Sequence, residues 1–253
     1  MRRAFLSVLG VAACALSVTS AAAAEAADEE ELPYSLSAEV AMASKYVWRG
    51  SVISDGLVFQ DTFTAGWNGL SLIVFGNVDL YDASASEGGY NEFDYTLDYT
   101  WQPKSVGLSA GVSFYTFPWA ATSQTTEAYM GVLFESESGW VTSLTFYKDI
   151  DEILGYYSEL GIDGGWELRN SNKLTFGLRL GAGDAKTNMA NLHVYEGGLA
   201  DAVLNIGLSR EVDAIEASIT ASYSSIVNQD IRDAMTSDTD IFTVTATITI
   251  DLF

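Results

Sequence analysis

The stretch NEFDYTLDYTW puts Phe93, Tyr95, Leu97, Tyr99 and Trp101 on one parity and Glu92, Asp94, Thr96, Asp98 and Thr100 on the other. Such alternation builds a β-strand with one apolar and one polar face, because successive strand side chains point to opposite sides. A helix would instead gather apolar residues at mixed spacings of three and four, and no spacing of three occurs here. The pattern recurs along the chain. Leu70, Leu72, Val74, Val78 and Leu80 share a face, as do Leu174, Phe176, Leu178 and Leu180, and then Ile215, Ala217, Ile219, Ala221 and Tyr223. Counting such segments predicts twelve strands, near 35–48, 57–67, 70–81, 91–101, 106–116, 125–135, 139–149, 155–166, 173–183, 193–209, 214–225 and 241–253. The second is irregular: Asp61 shares parity with Phe59 and Phe63, which calls for a bulge or a different register.

The connections alternate in length. Asn68-Gly69 is a hairpin signal, and QPKS, ESESG and SREVDA are also short. Between them fall longer segments rich in Gly, Ser, Asp and Thr: DASASEGGY, PWAATSQ, GDAKTNMA and IVNQDIRDAMTSDTD. Short turns on one rim and long loops on the other describe an outer-membrane barrel, and an even strand number leaves both termini in the periplasm. Trp67, Trp101, Trp140 and Trp166 all fall beside a short turn, while Trp48 and Trp119 fall toward the opposite rim. That sorting fits two aromatic girdles at the membrane interfaces. A secreted β-sandwich would alternate equally well, but it gives no reason for tryptophans to sort by strand end. The expected fold class is therefore all-β, a single closed antiparallel transmembrane β-barrel of about 12 strands spanning residues 34–253.

The start of the chain reads as an export signal over residues 1–24. Arg2 and Arg3 precede an apolar stretch from Ala4 to Val18, and Ala22-Ala23-Ala24 offers a small-residue cleavage site. VAAC, ending at Cys14, also resembles a lipoprotein box, although the apolar run continues past the cysteine. Cys14 is the single cysteine, so a chain cleaved near Glu25 would have no disulfide, thiol catalyst or thiolate metal site. The run EAADEEE then begins an acidic periplasmic tail, residues 25–33. Beyond the signal no apolar run approaches the roughly 20 residues of a membrane-spanning helix.

With 34 acidic against 12 basic residues the formal charge is −22. Such a surface repels nucleic acid, so no nucleic-acid partner is expected. In a barrel the polar parity lines the lumen. It carries Glu39, Asp79, Glu92, Asp94, Asp98, Glu127, Asp149, Glu159, Asp163, Asp201, Glu216 and Asp251, against only Lys45 and Arg179. Gly, Ser and Thr fill most of the rest, with Tyr115, Tyr147 and Tyr157 among them. This lining suits water, neutral solutes and cations and disfavours anions; acidic sugars would call for arginines. Barrels of about eight strands are plugged by their own side chains and those of sixteen or more are open. Twelve lies between, so a passive channel and a non-conducting structural or surface-interaction barrel both remain. The expected partners are outer-membrane lipid, the barrel-assembly machinery and small solutes.

Enzymatic readings are poorer. His193 is the single histidine and lies near the predicted outer end of a strand, with Glu196 and Asp201 close in sequence, but no local motif singles out a serine. Asp230, Asp233, Asp238 and Asp240 match no calcium-loop spacing. Phosphate cradles and dinucleotide fingerprints are absent, so no enzyme and no cofactor is expected.

ASKYVWRGSVISDGLVFQ, from Ala43 to Gln60, resembles the opening strand and first loop of the TorF family of porin-like outer-membrane proteins. The matching residues are Tyr46, Trp48, Arg49, Gly50, Ser54, Asp55, Gly56 and Gln60. VSFYTFP followed by TTEAYMGV is similar to that family's later strand, loop and glutamate-bearing return strand. The departures are Leu57-Val58, where the family often has a proline, and Trp48, where phenylalanine is commoner. The resemblance implies a porin-like barrel and carries over no catalytic residues.

TVTATITIDLF closes the chain. Phe242, Val244, Ala246, Ile248, Ile250 and Leu252 share the lipid parity. The terminal Phe253 fits a barrel-assembly signal, one step out of phase with Ile250 and Leu252.

Overall fold

The computed structural model describes residues 34–81, 89–118 and 123–252. The signal segment 1–24 with Cys14, the tail 25–33, Trp119 and Phe253 lie outside the described residues.

Twelve strands close into one barrel: β1 (Tyr34–Ala43), β4 (Val58–Trp67), β5 (Leu70–Asp79), β6 (Glu92–Trp101), β7 (Val106–Thr116), β8 (Thr125–Glu135), β9 (Val141–Asp149), β10 (Tyr156–Glu167), β11 (Asn172–Gly183), β12 (Gly198–Val212), β13 (Ile215–Ile226) and β14 (Asp240–Asp251). Each pairs antiparallel with its neighbours, and β1 closes the ring between β4 and β14. The loops carry a small hairpin, β2 (Tyr46–Trp48) with β3 (Ser51–Ser54), and two helices, α1 (Ala185–Leu192) and α2 (Gln229–Ala234).

The expected faces hold. On β6 Glu92, Asp94, Thr96 and Asp98 are buried inside while Tyr95, Leu97, Tyr99 and Trp101 are exposed. On β14 Thr243, Thr245 and Thr247 are buried while Phe242, Val244, Ile248 and Ile250 are exposed. An inside-out distribution of this kind is stable only where a lipid phase covers the outer wall. Tight turns close one rim: Asn68 (φ 49°) and Gly69 (φ 83°) both adopt the left-handed conformation that a two-residue hairpin requires. Trp67, Trp101 and Trp166 stand exposed at that rim, and Trp140 packs edge-on against Trp166 with ring centroids 5.3 Å apart.

Four expectations are corrected. The first barrel strand ends at Ala43, and residues 46–48 belong to the loop hairpin; alternation runs unbroken through both, so parity alone could not separate them. The strand expected from 193 begins at Gly198, since His193 is the C-cap of α1, a helix over 185–192 within an expected loop, capped at its start by the Asp184 side chain on the Thr187 N–H. Residues 229–234 are helical too, capped by Asn228. Asp61 lies in neither a bulge nor a shifted register. Strand pairing runs through it without a break, opposite Val40 and Gly76, so its carboxylate faces outward. Tyr90 lies over Gly76, where a Cβ would sit 2.6 Å from the ring, and its hydroxyl donates to Asp61. That ring shields a carboxylate that would otherwise meet lipid.

Candidate functional site

Residues 44–57 leave the wall after β1 and fold into the barrel at the long-loop end. At the tip of the β2–β3 hairpin Arg49 (φ 46°) and Gly50 (φ 80°) occupy two left-handed positions. Asn or Gly ordinarily takes the first of these; an arginine there is strained by about 1 kcal/mol or more. Contacts on the far wall offset that strain. The guanidinium donates to both carboxylate oxygens of Glu127 on β8, at 2.7 and 2.8 Å. Both side chains are only 7 % exposed. Aromatic rings surround the cation: Trp48 at 4.8 Å, Tyr147 at 4.9 Å and Tyr157 at 4.2 Å from its central carbon. Burial alone would lower the guanidinium pKa, but the Glu127 charge and hydrogen bonds outweigh it and raise the pKa. The Tyr115 hydroxyl also donates to Glu127, at 3.0 Å, and the Tyr115 ring meets Trp48 edge-on at 6.0 Å.

Gly50 approaches the wall on the other side. A Cβ there would sit 2.5 Å from Ile226 Cδ1 and 3.1 Å from Asp201 Cβ, so close approach and positive φ both call for glycine. The loop base is fixed by Tyr46 and Val58, both buried, packed with Ala43 and against Phe75. Above, Leu192, Val194, Ala200, Ile226 and Ile231 form an apolar cluster that joins the loops carrying α1 and α2.

The predicted lumen residues separate by depth. Around the tip, Glu92 accepts a hydrogen bond from Tyr46 and Asp201 accepts one from Tyr157 at 2.9 Å. Gly181 makes room for that last contact, since a Cβ there would sit 1.9 Å from the Tyr157 hydroxyl. Lower down, Asp98 accepts from Tyr129 and Thr100, each at 2.8 Å. Arg179 bridges Glu159 at 3.4 Å and Asp163 at 3.2 Å. Tyr147 packs at a tilt between Tyr129 and Tyr157, with centroids 5.6 and 6.1 Å away. Glu39, which accepts from Thr249, has Glu216 as a charged neighbour near the short-turn end. Asp94 differs from these. Its side chain is 3 % exposed, and Oδ1 has no hydrogen-bond partner.

Lys45 is not on the lumen wall. The wall ends two residues earlier, and Lys45 pairs with Asp55 across the base of the loop. Asp79 lies at the rim, where it accepts the Tyr81 N–H at 2.9 Å. Trp48, expected near the outer girdle, is inside the barrel against Arg49. His193 ends α1 in a left-handed conformation (φ 59°), and the nearby Asp201 is engaged by Tyr157 instead. Asp240 pairs with Arg232 at 2.5 Å and Asp233 accepts from Gln229, so the acidic loop residues do not converge. Among the described residues no group of three His, Cys, Asp or Glu gathers for a metal ion.

Sequence reasoning did not assign Arg49 to the lumen. The available signal was Arg-Gly between two short alternating segments, a two-residue turn with an unusual first residue. The tip borders a cavity lined by Arg49, Tyr157, Arg179, Asn205, Ser222 and Thr243 among others.

No protein-family model and no curated protein matches the chain. Solved structures do. The KdgM porin superposes with a TM-score of 0.55 at 11% identity, over 86% of this chain and 99% of that one. It has also been solved in complex with disordered oligogalacturonate, with a TM-score of 0.54 at 10% identity, over 87% and 99%. An outer-membrane channel from Pseudomonas putida F1 superposes with a TM-score of 0.52 at 11% identity, over 91% and 100%. At such identities the likeness is one of fold.

Proposed function

We propose that this barrel is a porin-like channel of the Gram-negative outer membrane, passing small neutral or cationic solutes by passive diffusion. The observation that carries the reading is the lumen itself. Buried carboxylates outnumber the two lumen guanidiniums, and serine, threonine, glycine and tyrosine make up most of the wall between them. Carboxylates raise the local cation concentration and replace part of a cation's hydration. The porin and channel folds that superpose on the chain support the same class. KdgM is described with an oligogalacturonate, a polyanion; the lumen here is itself acidic and repels such a solute, so the proposed solute class differs. The likeness to TorF-type sequences supports the reading too, since Tyr46, Trp48, Arg49, Gly50 and Ser54 are residues of the inward loop. Export through residues 1–24, the periplasmic tail 25–33 and assembly through Phe253 belong to the same proposal.

The test is single-channel conductance of the refolded protein in planar bilayers, with the reversal potential taken in a KCl gradient. Steady conductance with cation preference is expected; anion preference would sink the acidic-lumen reading. One observation favours a second reading, a non-conducting barrel used for structure or surface contact: the Arg49 loop reaches from β1 to β8 across the mouth. Absence of conductance both in the native protein and in Arg49→Ala would establish it.

A further inference from the structure

Apart from the loop's own Trp48, the residues that hold Arg49 belong to the barrel wall. Glu127 comes from β8, Tyr147 from β9 and Tyr157 from β10. Together they present a bidentate carboxylate and two aromatic rings to a planar cation, the geometry that favours guanidinium over the compact ammonium ion. The chain therefore contains a formed guanidinium site already filled by one of its own side chains. Two features make that occupant displaceable. Arg49 docks only by holding a left-handed backbone conformation, which a free solute need not do. Next to the cage, Asp94 is buried with Oδ1 unpartnered, and Glu92 and Glu127 are its charged neighbours. The acidic excess there exceeds what one arginine neutralises, so a solute with a second positive group gains a partner that Arg49 does not use.

We infer that the Arg49 cage is a receptor for the guanidinium group of a small solute, which enters by displacing Arg49 from Glu127 and so frees the 44–57 loop. Resting on the channel reading, this names the solute class and makes the loop a gate that the solute itself opens. A tethered side chain competes at an effective concentration of the order of millimolar. Its removal therefore strengthens solute binding, the reverse of what loss of a contact residue would do.

The probe is agmatine, a small guanidinium compound with a second amino group, titrated calorimetrically into the refolded protein in detergent. Conduction is not required, and KCl conductance measured without agmatine judges the channel reading separately. Arg49→Ala is expected to bind agmatine about tenfold or more tighter than the native protein, from the competition above. Glu127→Gln in the Arg49→Ala background should lose about tenfold or more, and Asp94→Asn in that background a smaller factor, consistent with a charged hydrogen bond. On the native protein, saturating agmatine should speed chymotrypsin cleavage after Tyr46 or Trp48, a readout needing no variant. Equal affinities for the native protein, Arg49→Ala and the Arg49→Ala, Glu127→Gln double variant, or no binding to any, with cleavage unchanged by agmatine, would overturn the proposal.

Discussion

Arg49 and Glu127, 78 residues apart in the chain, meet in a two-pronged ion pair of 2.7 and 2.8 Å that ties the first loop to the far wall of the barrel. Removing one partner of a buried pair leaves the other uncompensated, at a cost of about 3–5 kcal/mol. Arg49→Ala and Glu127→Gln should each release the loop. Larger single-channel conductance and faster chymotrypsin cleavage within 44–57 are expected, with the heat-dependent shift in electrophoretic mobility retained. Unchanged conductance in both variants would mean that the loop does not constrict the path.

Gly50→Val attacks the same loop by shape. A β-branched residue at φ 80° meets strain of about 1–3 kcal/mol, and its Cβ would collide with Ile226 and Asp201. The variant should reproduce the Arg49→Ala conductance although Arg49 and Glu127 are intact.

Arg179 is the basic group placed between Glu159 and Asp163. Arg179→Gln frees both carboxylates to act on permeating ions, so the reversal potential in a KCl gradient should move further toward the cation limit. Asp163→Asn, which subtracts a negative charge, should move it the other way.

On the outer wall, the Tyr90 hydroxyl is held above its ordinary pKa first by its hydrogen bond to Asp61 and then by burial. Tyr90→Phe leaves the carboxylate without that donor, at about 1–3 kcal/mol. Asp61→Asn should be milder, and Tyr90→Phe should cost less in the Asp61→Ala background than alone. Urea unfolding in detergent or lipid measures all four; additive effects would mean that the two residues are not coupled.

Asp184 caps α1. Its slight burial acts to raise the pKa, but N–H donors of Thr187, Tyr156 and Lys186 outweigh it and hold the carboxyl below its ordinary value. A depressed folded pKa contributes stability that is complete above the unfolded value near 3.8 and is lost as pH falls through the folded one. Hydrogen exchange of the 185–192 amides should therefore speed up in acid. Asp184→Ala should speed it at neutral pH, by about 1 kcal/mol of helix stability. Asp184→Asn should retain most of the cap and lose the acid dependence.

Twelve strands, their faces and their turns were legible in the sequence because each depends on local parity and on residues such as Asn68-Gly69 that fit one backbone geometry. The carboxylates of the polar parity, from Glu92 to Glu216, were legible for the same reason. The helices 185–192 and 229–234 were not, since each is short and weakly patterned and is held by its cap and its packing against Ile226 and its neighbours. Asp61 broke the expected parity because its compensation, Tyr90, comes from another loop. What only the tertiary structure decided is which way the first loop folds. Alternation gives the same parity to Trp48 and Met42, although one lies inside the barrel and the other on its outer wall. Residue type along the chain determines a barrel wall through nearest-neighbour periodicity. The occupant of the lumen depends on Arg49 meeting Glu127, Tyr147 and Tyr157, a charge balance formed only once the barrel has closed.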